Sequence, residues 1–351
     1  MALNKVLVED FENVSKLDIN WTDLDGSTIL VTGATGLIGS LFIRSIMYCA
    51  NQRKINIKIL AQVRSTEKAD AIFAEYKDLA NLEYVVGDVR TTPAIEEKVD
   101  YIIHAASITA SRMMIEQPVE TLLTSVEGTK NMLELARARK VKSFIYISSM
   151  EVYGTFTGAQ AQNVTEDDLG YINNLAVRSN YPESKRLCEN MCIAYQSQYN
   201  VPVKIARLSQ TFGAGILPGE NRVFAQFARS AAAHEDIVLH TEGKSEGNYC
   251  YSSDSVKGLL TILLKGENGQ AYNVVNPNTH TTIADMAKMV CDNFSDGQSK
   301  LVFDIPTENK YGYAADTKMK LNADKLIALG WQPEVDLKEA YNRLIRFMRS
   351  E

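Results

Sequence analysis

Eight residues constrain this chain more than any others: Thr32-Gly33-Ala34-Thr35-Gly36-Leu37-Ile38-Gly39. They follow an apolar run, Ile29-Leu30-Val31, and lead into a helical pattern over residues 41–50. Strand, glycine turn and helix are the parts of a dinucleotide site. Gly33 permits a tight turn, Gly36 lets a pyrophosphate approach the backbone, and Gly39 lets the helix pack close to the strand. The helix N-terminus then offers free N–H groups and partial positive charge to the phosphates. Thr35, Leu37 and Ile38 belong to the same turn and are expected to line the cofactor. The bland alternative is a plain strand-to-helix turn, and the position directly after a strand speaks against it.

The rest of the chain has room for such a fold. Its 351 residues suffice for one large core and a smaller lobe. A net charge of −6 argues against a nucleic-acid surface, which would be basic. The cysteines are Cys49, Cys188, Cys192, Cys250 and Cys291, with no Cys-x-x-Cys pair. Their odd number suits a reducing cytoplasm, and no metal site is expected. No apolar run follows the charged N-terminus, so neither a signal peptide nor a membrane span is expected.

Residues 1–26 form an extension in which Phe11, Val14, Leu17 and Trp21 have roughly helical spacing. Strands are expected at residues 28–32, 56–63, 82–87, 99–105 and 144–148, alternating with helices. That pattern predicts an α/β fold: a Rossmann-like, doubly wound parallel sheet over 27–205. A smaller mixed α/β lobe over 206–351 is expected to close over the substrate.

Strand ends carry the ligand-facing residues in such sheets. The second ends in Val63-Arg64-Ser65, without the carboxylate that takes a ribose in NAD sites. Arg64 could meet a 2′-phosphate, stack on adenine, or stand solvated, so both NAD and NADP remain open. Asp88 and Val89 after the third strand are placed near the adenine. Ala105, Ala106 and Ser107 after the fourth leave space for the cofactor backbone. His104 reads as a packed strand-end residue rather than a catalyst.

Ser149 and Glu151 close the fifth strand. Some thirty residues on, Tyr181 and Lys185 stand four apart and share a helix face. Pro182 puts Tyr181 near that helix's start. A tyrosine of ordinary pKa, about 10, is a poor base at neutral pH. An ammonium on Lys185 and an oxidised nicotinamide would favour the phenolate, and Ser149 could hold the same substrate hydroxyl.

With these motifs together, the chain resembles the NAD-dependent epimerase/dehydratase family of extended short-chain dehydrogenases/reductases, over about residues 27–345. The resemblance rests on the glycine turn, Gly87-Asp88, His104-Ala105-Ala106, Ser149 with Glu151-Val152-Tyr153-Gly154, Tyr181 with Lys185, and the stretch from Arg207 to Gly213. It implies nucleotide-sugar substrates, Tyr181 as base, Lys185 as its partner and ribose clamp, Ser149 as third member, and a homodimer built on a four-helix bundle. The segments Ser149-Met150-Glu151-Val152-Tyr153-Gly154 and Arg178 through Arg186 are similar to those of UDP-glucuronate decarboxylases. The dTDP-glucose 4,6-dehydratases carry an Asp-Glu pair where this chain has Met150 and Glu151, and a thioether donates no proton. Glu151 remains an acid/base candidate.

Substrate contacts are expected from Arg112 or Arg178 toward a sugar carboxylate, Arg222 toward a phosphate, and from Gln210 and Tyr249. An arginine that the family often carries before the Tyr-x-x-Asp segment is replaced around Gly247-Asn248, and Ser125 and Gln210 stand where asparagines are usual. Three readings compete: transient C4 oxidation followed by decarboxylation, epimerisation or dehydration; one-way NADPH-dependent reduction of a keto-sugar; and a non-catalytic redox sensor, which the retained Tyr181 and Lys185 disfavour.

Overall fold

The computed structural model describes residues 4–76, 79–91, 95–217, 219–306 and 317–350. Its first half holds strands β1 (Ser27–Thr32), β2 (Ile57–Val63), β3 (Leu82–Val86), β4 (Tyr101–His104), β5 (Ser143–Ser149) and β6 (Val203–Leu208). Between and before them lie helices α1 (Lys5–Ser15), α2 (Leu37–Arg53), α3 (Thr66–Ile72), α4 (Ser111–Glu116), α5 (Pro118–Arg139) and α6 (Asn180–Tyr199). The second half adds strands β7 (Gln210–Phe212), β8 (Ile237–Leu239), β9 (Glu246–Gly247), β10 (Tyr249–Tyr251), β11 (Ala271–Val274), β12 (Thr281–Thr282) and β13 (Leu301–Phe303). Its helices are α7 (Val223–Ala233), α8 (Ser252–Lys265), α9 (Ile283–Phe294), α10 (Asp324–Ile327) and α11 (Leu337–Arg349).

Seven strands form one sheet in the order β11-β6-β5-β4-β1-β2-β3, with every neighbouring pair parallel. The chain steps outward from β1 to β3, then crosses back to β4 on the other side of β1. That reversal opens a crevice beyond the carboxyl ends of β1 and β4, where doubly wound sheets take their ligands. Helices cover both faces, so the strands are apolar on both sides. Ile29, Val31, Ile145 and Ile147 face a core shared with α2 and α8. Their neighbours Leu30, Phe144 and Tyr146 face one shared with Met132, Leu133, Cys188 and Cys192 of α5 and α6. Each fully buried large apolar side chain contributes about 1.5–3 kcal/mol. All five cysteines are free and buried, which agrees with packing as the role of Cys188 and Cys192.

Local chemistry sets the element ends. Pro118 opens α5, with Glu120 in its first turn and Arg137 and Arg139 in its last. Thr282 caps α9 by accepting from the Asp285 N–H. The helical spacing of the extension is realised in α1, where Phe11 and Val14 are buried, and Trp21 is buried in the turn that follows. Asp10 on α1 accepts from Tyr251 Oη at 2.8 Å and from Arg343 Nη1 at 2.8 Å. The extension is thereby tied to β10 and α11 of the second half.

The boundary expected at 206 falls inside β6, and β11 completes the large sheet from well beyond it. A second core does form after it, around Phe212, Phe224, Tyr249, Met286, Tyr341 and Leu344. No helix among the described residues is long and apolar enough to cross a membrane.

Candidate active site

The glycine turn is built as its spacing requires. Gly33 sits at φ +64°, a conformation that favours glycine, and a Cβ there would lie 2.8 Å from the Ala105–Ala106 peptide. A Cβ on Gly39 would stand 2.4 Å from the Gly33 carbonyl oxygen, so α2 and β1 could not approach as they do. Gly36 differs: its N–H donates to the Gly33 carbonyl at 2.9 Å, and a Cβ would only graze that oxygen at 3.2 Å. Gly36 is the N-cap of α2, and no side chain covers the first N–H groups of Leu37 and Ile38. Free N–H groups, a glycine cradle and the small Ala105 and Ala106 opposite fit a dinucleotide pyrophosphate.

The floor beside this turn is a neutral hydrogen-bonded chain. Thr32 Oγ1 lies 2.7 Å from His104 Nδ1 and accepts from the Ala106 N–H at 3.2 Å, while His104 Nε2 lies 3.1 Å from Thr129 Oγ1. Full burial pushes the His104 pKa down to about 3, so the ring is uncharged near neutrality. It holds the strand end through Thr32 and Thr129. Ser107 Oγ approaches Ser125 Oγ at 3.4 Å.

At the adenosine end, Arg64 is exposed and electrostatically close to Asp88. The Asp88 carboxylate is engaged by Arg90, at 3.0 Å from both Nε and Nη2, and this bond foremost holds its pKa below the usual range. Arg90 was not singled out from the sequence, although its place two residues after Asp88 allows a local ion pair. Val89 is buried against Gly128, where a Cβ would meet Val89 Cγ1 at 2.8 Å.

The chemical groups meet at the end of β5. Ser149 closes the strand, and its Oγ accepts from the Glu151 N–H at 3.2 Å. Tyr181, in the first turn of α6, is 6% exposed and hydrogen-bonds Ser149 through its hydroxyl. Burial pushes its pKa up to about 12, with the Glu151 charge adding to the rise. The Ser149 hydrogen bond and the charges of Arg178 and Arg222 pull it down.

Lys185 was expected to supply that pull. Its Nζ instead donates to the Ile147 carbonyl at 2.8 Å, 4.8 Å from the Tyr146 ring centre and 5.7 Å from that of Tyr181. Burial lowers its own pKa to about 8. The phenol, hydroxyl and ammonium therefore converge on one strand end, but the arginines condition the phenol.

Arg178 pairs with Glu151 (Nη2–Oε1 3.0 Å), and both remain partly exposed at the cleft. Arg222 precedes α7 and is paired with Glu220 at 2.6 Å. Gln210 and Tyr249 are register partners across β7 and β10. Tyr249 is buried edge-on against Phe212. Met150 packs against the core beside Ser149. Arg112 is not gathered with these groups: its side chain is 84% exposed and pairs with Glu116 one turn on. Asn248, in the segment lacking the family arginine, is fully buried. It donates to the Asn276 carbonyl at 3.3 Å and to the Pro277 carbonyl at 3.2 Å, and accepts from the Leu321 N–H at 2.8 Å. It fastens loops and offers nothing to a phosphate. No cluster of three or more metal-ligating side chains occurs among the described residues.

Beneath the site lies a network that spacing did not reveal. Glu189 accepts from Ser148 Oγ at 2.5 Å, and from Arg207 Nε and Nη2 at 3.0 and 2.7 Å. Arg207 also donates to Tyr153 Oη at 3.1 Å, which donates to Asn273 Oδ1 at 2.6 Å. It pins β5, β6 and β11 together beneath Ser149. Breaking one member strands a buried charge at a cost of about 3–5 kcal/mol. Arg207→Met is expected to lower the urea midpoint accordingly, and Arg207→Met with Glu189→Leu to recover most of the loss. A single variant within about 0.5 kcal/mol of the parent would contradict this role.

Residues 29–276 match the NAD dependent epimerase/dehydratase family. The chain is 29% identical to UDP-glucuronic acid decarboxylase 1 of Danio rerio, covering 97% of this chain and 79% of that protein. It is 31% identical to UDP-glucuronic acid decarboxylase 6 of Arabidopsis thaliana, covering 89% and 85%. In fold it is similar to the dTDP-glucose 4,6-dehydratase DesIV of Streptomyces venezuelae, solved with NAD bound, at TM-score 0.77 and 22% identity over 92% of this chain and 97% of that one. With a family model that covers most of its length, the chain belongs to the NAD-dependent epimerase/dehydratase family.

Proposed function

We propose that this protein is a nucleotide-sugar decarboxylase that works through transient oxidation at sugar C4. The observation that carries the reading is the buried Tyr181 hydroxyl bonded to Ser149, with two arginine charges and Lys185 around it. Bound NAD supplies the hydride acceptor, and its return of the hydride closes the cycle. Tyr181 takes the C4 hydroxyl proton while Ser149 holds the same oxygen. The resulting C4 ketone stands β to a C6 carboxylate, so the carbon–carbon bond electrons can flow into the ketone as carbon dioxide leaves. Arg178 is the cation at hand for that carboxylate, and Glu151, its partner, is the acid/base candidate for returning a proton at C5. Met150 supports decarboxylation over dehydration, since the latter needs an acid there.

A panel of UDP-, dTDP-, CDP- and GDP-sugars, followed by mass spectrometry, tests the reading. Loss of carbon dioxide from a nucleotide-linked uronic acid is expected. Loss of water, or an unchanged mass with altered chromatography, would replace it with dehydration or epimerisation. Stoichiometric consumption of NADPH would favour the one-way reductase.

The ammonium of Lys185, present below its pKa of about 8, is lost as pH rises through that value. Turnover should fall on the alkaline side through pH about 8, as the ribose clamp loses its charge. A rate that stays level to pH about 10 would remove Lys185 from this role.

The working unit we propose is a cytoplasmic homodimer. Val119, Leu122, Leu123 and Val126 follow one face of α5, and Leu187, Met191 and Ala194 one face of α6; most are exposed. Two copies of this helix pair would bury both faces in a four-helix bundle. Leu187→Glu is expected to halve the mass measured by light scattering. A parent protein that is already monomeric would overturn the proposal.

A further inference from the structure

A cavity of about 510 Å³ lies at the amino-terminal edge of the large sheet, among the starts of β4 and β5 and the end of α8. Strand β5 runs from Ser143 at this cavity to Ser149 at the cleft, six steps of about 3.3 Å, so the two places are about 20 Å apart. The size is that of small-molecule sites.

One wall carries Lys204, which is only 5% exposed. Its ammonium donates to Ser143 Oγ at 2.7 Å and to the Leu263 carbonyl at 3.2 Å, both part of the cavity lining. An ammonium has three N–H donors. The third has no protein acceptor among the described residues, and no carboxylate there pairs with this lysine. Leu263 lies in the last turn of α8, whose free carbonyls favour a cation. That accounts for one bond and leaves the charge otherwise uncompensated. Burial alone lowers the Lys204 pKa, to about 8, with no acidic neighbour opposing it. Lys142, also on the lining, is balanced by Asp100 at 3.2 Å.

The lining also carries Asp23 and Asp25. Each spends one carboxylate oxygen on the protein: Asp23 Oδ1 accepts from Asn20 at 2.8 Å, and Asp25 Oδ1 from the Asn56 N–H at 2.7 Å. Their second oxygens are acceptors for hydroxyl groups. An oxyanion answers the buried ammonium, and hydroxyls on the same molecule answer the carboxylates.

We propose that this cavity is a second ligand site, which takes the phosphate or carboxylate of a small hydroxylated anion on Lys204 and Ser143, with its hydroxyls toward Asp23 and Asp25. Sugar phosphates and sugar acids are that class. Calorimetric titration of the NAD-loaded protein with glucose 6-phosphate, glucuronate, inorganic phosphate and glucose tests it. The first two are expected to bind at a single site, one tighter than the other according to the oxyanion preferred. Phosphate should bind more weakly and glucose not at all. Lys204→Met should weaken binding at least about tenfold, as loss of a charged hydrogen bond does, while Arg222→Ala at the cleft leaves it unchanged. Ser143→Ala keeps the ammonium and should still weaken binding about threefold to tenfold, which serves where Lys204→Met does not fold. No heat from any anion, or binding lost in Arg222→Ala and kept in both cavity variants, would overturn the proposal.

Discussion

Tyr181→Phe should lower turnover by about 10²–10⁴-fold, the usual loss when a general base is removed, and leave the fold and cofactor binding close to the parent's. The phenyl ring stays packed at the start of α6, so only the hydroxyl between Ser149 and the substrate is lost. Steady-state rates on the responsive sugar, with NAD affinity measured alongside, decide the matter. Turnover above about a hundredth of the parent's would sink the tyrosine as base. Ser149→Ala is the companion, expected to cost less because the phenol survives.

The second large effect separates two glycines that read alike in the sequence. Gly39→Ala drives a Cβ to 2.4 Å from the Gly33 carbonyl oxygen. The α2–β1 packing must open, at the cost of about 1–3 kcal/mol typical of overpacked cores, and the pyrophosphate cradle opens with it. Gly36→Ala meets that oxygen at 3.2 Å, a tight contact that asks for a shift of a few tenths of an ångström, so the fold should lose less stability than in Gly39→Ala. Its methyl group narrows the cradle where the pyrophosphate is expected, and NAD affinity should fall at least about tenfold. Melting curves with and without NAD distinguish the two. Equal stability losses in both variants would refute the distinction, as would undiminished NAD binding in Gly36→Ala.

Legibility in the sequence followed distance along the chain. The glycine turn, the apolar strands and the four-residue step from Tyr181 to Lys185 are local patterns with fixed periods, and the structure realises them. The side-chain partners of Asp88 and of Lys185 were not legible because side-chain direction is set by the fold. Arg90 reaches back to Asp88, and Lys185 turns to a main-chain carbonyl rather than to the phenol. The Glu189–Arg207–Tyr153–Asn273 network joins residues up to 120 positions apart, and no spacing rule announces such a contact. The place of β11 in the large sheet was hidden for the same reason, since strand order depends on crossovers. Arg112 was chosen for its charge alone, and its helix points that charge into solvent.

The charge of Arg222 acts on the phenol of Tyr181 from within the crossover between β6 and β11, out of the part of the chain that builds the second core. The acidity of that phenol thus depends on charges from two halves of the molecule, Arg178 from the first and Arg222 from the second.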